Sequence, residues 1–514
     1  MLAQSGVSIG HLIVGAIDTF SERTAFVMDG RRLTYRQFGD IVYRFCRALL
    51  ALGLKRGDAL AIVTSNSPEV FAVRCACAIL GMTYTPLNAR ATAESHAAIL
   101  TDADVSIIVT DASCVATAER ARALCDRKPR MVTLTGAEAE NLIALSERQS
   151  GAFFAPAANE SDTDLVVYTG GTTGRAKGVM HSHKGSVWAS FMNVVSWESV
   201  PGPQVLLSSP LSHSGLLLPL PTMLKGGTVH LLPGFDAERL IDVIEKEQID
   251  TTLMVPSMIY ALLDAPSLSR RDVSSLSYLL YGGAPIAPAR LGDGLERLGQ
   301  IFCQLYGQTE APNIIAQLRR DQHDLSKPER LASCGKPAAG VEVSLLDERG
   351  QPADEGEICV RGGLVMDGYR NNPEATAEAL RDGWLHTGDV GRLDGEGFLY
   401  IVDRKKDMII SGGFNIYSKE VEDALAEHPA VFQAAVIGTP HEKWGEAVMA
   451  YVVVRPGEKV APEELMAKVK ALKGPHMAPK AIEFVEALPL TAVGKVDKPA
   501  LRAPHWSGAT RQVG

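Results

Sequence analysis

At 514 residues the chain is too long for one ordinary hydrophobic core, so several folding units are expected. Its 46% hydrophobic and 22% charged residues are those of a soluble globular protein, and no apolar stretch reaches the ~18 uninterrupted residues of a membrane span. With 51 basic against 60 acidic side chains, a formal charge of −9 and no basic tract longer than "DRKKD" (Asp403 to Asp407), non-specific nucleic-acid binding is excluded as a main role. No basic segment precedes an apolar core at the N-terminus, so no signal peptide is expected. The eight cysteines are scattered and read as reduced thiols of a cytoplasmic protein.

In chain order, residues 1–402 alternate short β-rich runs with amphipathic helical stretches. "ALAIVTSN" precedes helix-like "SPEVFAVRCACAILGM", and "VSIIVTD" precedes "ASCVATAERARALC". "DLVVY" is a predicted buried strand running into "TGGTTGRAKG", which has the composition of a phosphate-binding loop. It is not a Walker loop. Lys177 is followed by Gly178 instead of Ser or Thr, and the hydroxyls of Thr169, Thr172 and Thr173 all precede the lysine. "GTVHLL", "ERLIDVIEKEQI", "TTLMVPS" and "SLSYLLYGGAP" continue the alternation, which predicts α/β layers with mostly parallel sheets. In such sheets ligands gather at the carboxyl ends of strands.

After Gly335 the texture changes. "GVEVSLLDERGQPADEGEICVRG" alternates apolar and polar residues around turns, as antiparallel β structure does. "GEGFLYIVDRKKDMIISGGFNIYSKEVEDAL" predicts a strand, a charged turn, a Gly-rich loop and a helix. Strand-like runs at 434–437, 448–454 and 482–487 enclose helical "PEELMAKVKALKG" in a small α+β unit. The charged turn from Asp403 is the expected boundary, dividing a large domain (1–402) from a small one (403–514).

Five further segments are Gly-rich or polar ends of apolar runs: "SPLSHSG", "YGGAP", "QLYGQTE", "WLHTGD" and "PLTAVGKVDK". In this order, with "DRKKDMIISGGFNI" between the last two, the chain resembles the adenylate-forming superfamily. That group comprises acyl-CoA synthetases, adenylation domains of non-ribosomal peptide synthetases and beetle luciferases. The resemblance runs from "LTYRQF" (Leu33 to Phe38) to "GKVDK". It implies a large α/β domain hinged to a small mobile α+β domain. It also implies a reaction in two halves: a carboxylate attacks the α-phosphate of ATP, and a thiol, usually that of coenzyme A, then displaces AMP.

By this resemblance Thr169, Gly170, Gly171, Thr172, Thr173 and Lys177 surround the ATP phosphates. Relatives often carry Ser in place of Gly170 and Pro in place of Ala176. Gly283, Ala284 and Pro285 contact adenine, Tyr306 stacks on it, and Gln304, Leu305 and Gly307 flank it. Thr309 touches the α-phosphate, while Glu310, with Thr173, holds Mg2+. Asp389 accepts hydrogen bonds from the ribose hydroxyls, with Ile401 and Arg404 beside it. Lys495 stabilises the transferring phosphoryl group. Ser411, Gly412, Gly413 and Phe414 match the loop lining the pantetheine tunnel, and Asp403 matches the hinge about which the small domain turns between the two steps.

His213 matches a position at the mouth of the acyl pocket, with a structural histidine as the alternative. Leu217, Leu218, Tyr281, Gly282, Gly307, Ile314 and Ile315 complete the expected wall. Neither "LLLPLPTML", expected as a helix, nor "APNIIAQL" offers an arginine for a second carboxylate or an aspartate for an amine. An uncharged hydrophobic acid is therefore expected, whether medium-chain, aromatic or a bulky alicyclic or terpenoid one. Two other readings stay open at this point: delivery to a separate carrier protein, and a catalytically silent nucleotide binder. Many relatives are dimers.

Overall fold

The computed structural model describes residues 6–135, 140–169, 176–198, 200–347, 349–404, 407–412, 414–491 and 496–506. Its helices begin where the local chemistry allows. In "LTYRQF" the Gln37 amide donates to Thr34 Oγ1 (3.2 Å) and the Thr34 amide donates to Gln37 Oε1 (2.9 Å). This reciprocal cap opens the Tyr35–Ala51 helix, whose stripe of Phe38, Val42, Phe45 and Leu49 is buried. The Pro68–Leu80 helix is capped by Ser67 and stopped by Gly81 at φ +70°, a left-handed conformation that glycine adopts without strain.

These two helices lie between two sheets. One sheet runs in the order Gly368–Tyr369, Lys177–Ser182, Thr163–Thr169, Thr83–Pro86, Ala59–Val63, Val105–Thr110, Arg130–Thr133. The other runs Lys336–Pro337, Ala311–Leu318, Phe302–Gln308, Tyr278–Gly282, Thr251–Met254, Gln204–Leu207, Thr228–Leu231, Thr24–Met28, Arg31–Thr34. Their inner neighbours pair in parallel, and runs such as "ALAIV" are apolar throughout because both faces are covered. Leu60 and Ile107 from the first sheet share one core with Leu280 and Leu305 from the second, and with Phe38 and Phe71 of the helices. The outer face of the second sheet packs against the Ala237–Glu247, Pro256–Asp264 and Pro288–Leu298 helices.

The predicted antiparallel region is a five-stranded sheet containing Glu342–Leu346, Glu355–Arg361, Trp384–Leu393 and Leu399–Arg404. Beyond it, the strands Ile409–Ser411, Phe414–Ile416, Val431–His441, Gly445–Val454 and Ala481–Phe484 form a separate sheet. The helices Ser418–Ala426 and Pro462–Lys473 pack on that sheet. The molecule is thus a large N-terminal α/β domain followed by a small C-terminal domain. Among the described residues no helix is long and apolar enough to cross a membrane.

The expected charged turn starts later than its composition suggests. Asp403 and Arg404 complete the Leu399–Arg404 strand, in register with Val390 and Asp389. The ladder begun by "FLYIV" carries two charged residues with it, since one edge of that strand is already paired. The Asp403 carboxylate is buried and accepts from the Ser418 amide (2.5 Å) and hydroxyl (3.2 Å), at the start of the first small-domain helix. Lys498 donates to the same hydroxyl (2.7 Å) and pairs with Glu422 (2.8 Å), while Arg502 pairs with Asp407 (2.7 Å). Burial disfavours the Lys498 ammonium, but Glu422, Asp403 and Asp407 outweigh that penalty and hold its pKa above the ordinary value.

Candidate active site

The phosphate-loop candidate is bounded by the antiparallel strands Thr163–Thr169 and Lys177–Ser182, with Thr169 opposite Lys177. Gly170, Gly171, Thr172 and Thr173 lie outside the described residues. Among the described residues the loop leads into a strand that begins at Lys177 and not into a helix. Its Nζ lies 4.9 Å from the centroid of the Tyr369 ring, a cation–π contact. Tyr369 in turn donates its hydroxyl hydrogen to Glu310 Oε1 (2.8 Å). Burial, then the Glu310 charge, pushes the Tyr369 pKa far above the ordinary value, so the phenol keeps the proton it donates.

Thr309 and Glu310 connect the antiparallel strands Phe302–Gln308 and Ala311–Leu318 and are held from behind. His181 Nε2 donates to the Thr309 carbonyl (2.8 Å), and the Met366 amide donates to the Glu310 carbonyl (2.8 Å). Burial holds the His181 pKa below its ordinary value, so the ring is neutral and its Nε2–H is fixed towards Thr309. Sequence reasoning gave no role to His181 or Tyr369. His181 lies within the Lys177–Ser182 strand, where one histidine carries no local signal. Tyr369 reaches the site only because Gly368–Tyr369 pairs with Val179 and Met180.

Two motifs far apart in sequence meet directly. Tyr306 donates to Asp389 Oδ2 (2.8 Å), and both residues are buried. Gly388 at φ +72° and the Thr387 hydroxyl, which accepts from the Asp389 amide (3.1 Å), set the turn that presents the carboxylate. The backbone of Arg404 is the register partner of Asp389, and half-buried Ile401 packs in the core that contains Tyr306. Gly283, Ala284 and Pro285 follow the Tyr278–Gly282 strand, beside Gln304 and Leu305. A Cβ on Gly282 would lie 2.4 Å from the Leu305 carbonyl oxygen, so a glycine is needed for that approach. At Gly307 a Cβ would meet the Asn313 amide nitrogen at 2.9 Å.

On the acid side, "LLLPLPTML" is divided between a single 3₁₀ turn, Ser214–Leu217, and a short helix, Pro219–Leu224. Proline at the first position suits a helix start, so the second segment begins afresh. His213 is half-buried, its Nδ1 3.0 Å from Ser212 Oγ. Leu217 is half-buried; Leu218 is fully buried and, with Val194, Trp197 and Tyr278, lines a void of about 10 Å³, no larger than one water. The residues expected on the wall divide among different cores. Adjacent strand residues point to opposite faces, so Ile314 joins the core of Leu218 and Leu305 while Ile315 packs with Val179 and Tyr306. Tyr281 points into the outer helix layer, its hydroxyl 3.0 Å from His323 Nε2.

In the small domain Ser411 is buried, and Gly412 at φ +60° donates its amide to the Trp444 carbonyl (2.9 Å). Phe414 is 59% exposed, its ring 5.3 Å from that of His476. Gly413, Lys495 and the Arg404 side chain lie outside the described residues. Leu490 and Val496 form an antiparallel bridge.

Comparison with known proteins shows the family. Residues 15–370 match the family model for AMP-binding enzymes, and residues 420–495 match the model for the AMP-binding enzyme C-terminal domain. The medium/long-chain-fatty-acid–CoA ligase FadD8 of Mycobacterium tuberculosis is 41% identical, covering 100% of this chain and 93% of its own. A feruloyl-CoA synthase of Amycolatopsis is 37% identical over 93% of this chain and 95% of its own. Among solved structures, the amide bond synthetase McbA of Marinactinospora thermotolerans superposes with a TM-score of 0.89 at 33% identity, covering 96% of this chain and 99% of that one. The chain belongs to the adenylate-forming AMP-binding enzymes.

Proposed function

We propose that this protein is an AMP-forming acyl-CoA synthetase. It joins a hydrophobic monocarboxylic acid to AMP with release of pyrophosphate, then passes the acyl group to the thiol of coenzyme A with release of AMP. The observation that carries the reading is the convergence of "QLYGQTE", "HTGD" and Lys177 through two tyrosines. Tyr306 ties the adenine-flanking strand to Asp389, and Tyr369 joins Lys177 to Glu310. Asp389, an acceptor when ionised, suits both ribose hydroxyls. Lys177 offsets phosphate charge, and Lys495 stabilises the charge redistributed at the α-phosphorus during attack. Glu310 offers the hard carboxylate oxygen that Mg2+ prefers, and the ion, when bound, neutralises charge on the departing pyrophosphate. The acid enters beside His213, Leu217 and Ile314. The names of the two curated relatives support a fatty or aryl acid and coenzyme A as acceptor. Eight buried thiols support a reducing compartment, the cytoplasm.

The test is ATP–pyrophosphate exchange across medium- and long-chain fatty acids, ferulate and malonate, followed by thiol consumption on adding coenzyme A. Exchange with the hydrophobic acids but not malonate, with thiol loss, is expected. AMP binding without exchange on any acid would leave a silent nucleotide binder. Exchange without thiol loss would point to a carrier protein.

A further inference from the structure

Outside the nucleotide site, Glu357, Cys359 and His386 bring a carboxylate, a thiol and an imidazole together, their donor atoms within 4.8 Å of one another. It is the only such group of three metal-ligating side chains among the described residues. The sheet builds it. Glu357 and Cys359, two apart on Glu355–Arg361, share a face, and His386 on Trp384–Leu393 is the register partner of Cys359. Ile358 and Leu385, on the other face, are committed to the core.

Two uses of such a trio are distinguishable by geometry. A nucleophilic relay needs thiol and carboxylate on opposite nitrogens of the imidazole. Here both address Nδ1: Cys359 Sγ at 3.4 Å and Glu357 Oε2 at 3.0 Å, while Sγ is 4.0 Å from Nε2. Cys359 is also wholly buried, so it cannot reach a substrate. Three donors converging on one point describe a coordination site instead. Zinc bond lengths of about 2.0–2.3 Å imply tetrahedral ligand-to-ligand edges of roughly 3.3–3.8 Å, close to the 3.4 Å from Sγ to Nδ1 and a few tenths of an ångström above the 3.0 Å from Oε2 to Nδ1.

We propose that Glu357, Cys359 and His386 bind a borderline-soft divalent cation of the zinc class, with a fourth position open to water. The thiolate and imidazole select against Mg2+ and Ca2+, which prefer oxygen. The second oxygen of Glu357 accepts from the Gly388 amide (3.1 Å), so the carboxylate is already oriented by the backbone. Arg381, 41% exposed and 3.4 Å from Glu357 Oε2, neutralises that carboxylate and can swing into water when a cation replaces it. Gly388 immediately precedes Asp389, so the site fastens two strands beneath the segment presenting the ribose-binding carboxylate.

The test is titration of the metal-free full chain with Co2+, followed by absorption. One equivalent should bind with a thiolate-to-cobalt charge-transfer band, be displaced by Zn2+ and ignore excess Mg2+. Cys359→Ser should abolish the band, whereas Cys114→Ser, a buried thiol elsewhere, should leave it intact. His386→Ala should weaken Co2+ binding at least tenfold, since even outer-shell losses cost that much. The wild-type titration needs no variant to fold. No thiolate band in the wild type, a band that survives Cys359→Ser, a band lost in Cys114→Ser, or unchanged affinity in His386→Ala would each overturn the assignment.

Discussion

Lys498→Met tests how the small domain is held at the proposed hinge. The ammonium bonds to the Ser418 hydroxyl and to Glu422, and Ser418 in turn holds the Asp403 carboxylate. Methionine keeps the length and loses the charge, taking from Glu422 the cation it pairs with, while Asp407 keeps Arg502. Removing one partner of a buried pair costs about 3–5 kcal/mol. Lys498 and Glu422 keep 15% and 17% side-chain exposure, so the lower end, ~3 kcal/mol, applies. Native-state hydrogen exchange of the amides in the Gly445–Val454 strand reads the opening free energy of this domain separately from the large one. The double variant Lys498→Met/Glu422→Met should recover part of the loss, because the carboxylate in direct contact with the ammonium is then gone while Asp403 keeps its bonds to Ser418. The sign with pH follows from the raised pKa. The contribution is complete below the unfolded value of ~10.4 and is lost as pH rises through the higher folded value, so wild type and variant should converge only in strong alkali. A difference below ~1 kcal/mol at pH 7, or no recovery in the double variant, would show that these charges do not hold the domain.

Lys495→Ala should slow adenylation by ~10²–10³-fold while sparing thioester formation from supplied acyl-adenylate; a tryptophan at Gly413 should do the reverse, and single-turnover kinetics showing equal damage to both steps would remove the alternating-domain mechanism. Glu310→Ala should raise the Mg2+ requirement of pyrophosphate exchange, and Tyr369→Phe, which deletes the 2.8 Å hydrogen bond, should produce a smaller shift in the same direction. An unchanged Mg2+ dependence in Glu310→Ala would take that residue out of the metal site. Leu217→Trp should favour shorter acids with an unaltered KM for ATP, by ~1–3 kcal/mol of preference per methylene displaced. A uniform loss over all acids would place Leu217 away from the acid.

Much of this was legible in sequence because it is local. The capping box of "LTYRQF", the all-apolar "ALAIV" and the alternation of "GEICVRG" each fix an element within a few residues. Side-chain facing was harder. Ile314 and Ile315 are both apolar, and only the strand's orientation decides which shares a core with Leu218. Asp403 looked like a turn because charge runs usually are turns, yet the neighbouring Trp384–Leu393 strand offered a ladder to continue. His181, Tyr369 and the trio of Glu357, Cys359 and His386 acquire meaning only through register between distant strands.

The phenol of Tyr369 keeps two opposite charges apart. Were Lys177 and Glu310 joined in a direct ion pair, that pair would have to break before either could serve a phosphate or a metal ion. With the ring face turned to the ammonium and the hydroxyl to the carboxylate, each charge is steadied by the same neutral residue without being cancelled by the other. In the proposed function, a metal–nucleotide complex would meet a cation and an anion already separated in the sense its own charges require, with little rearrangement needed to receive it.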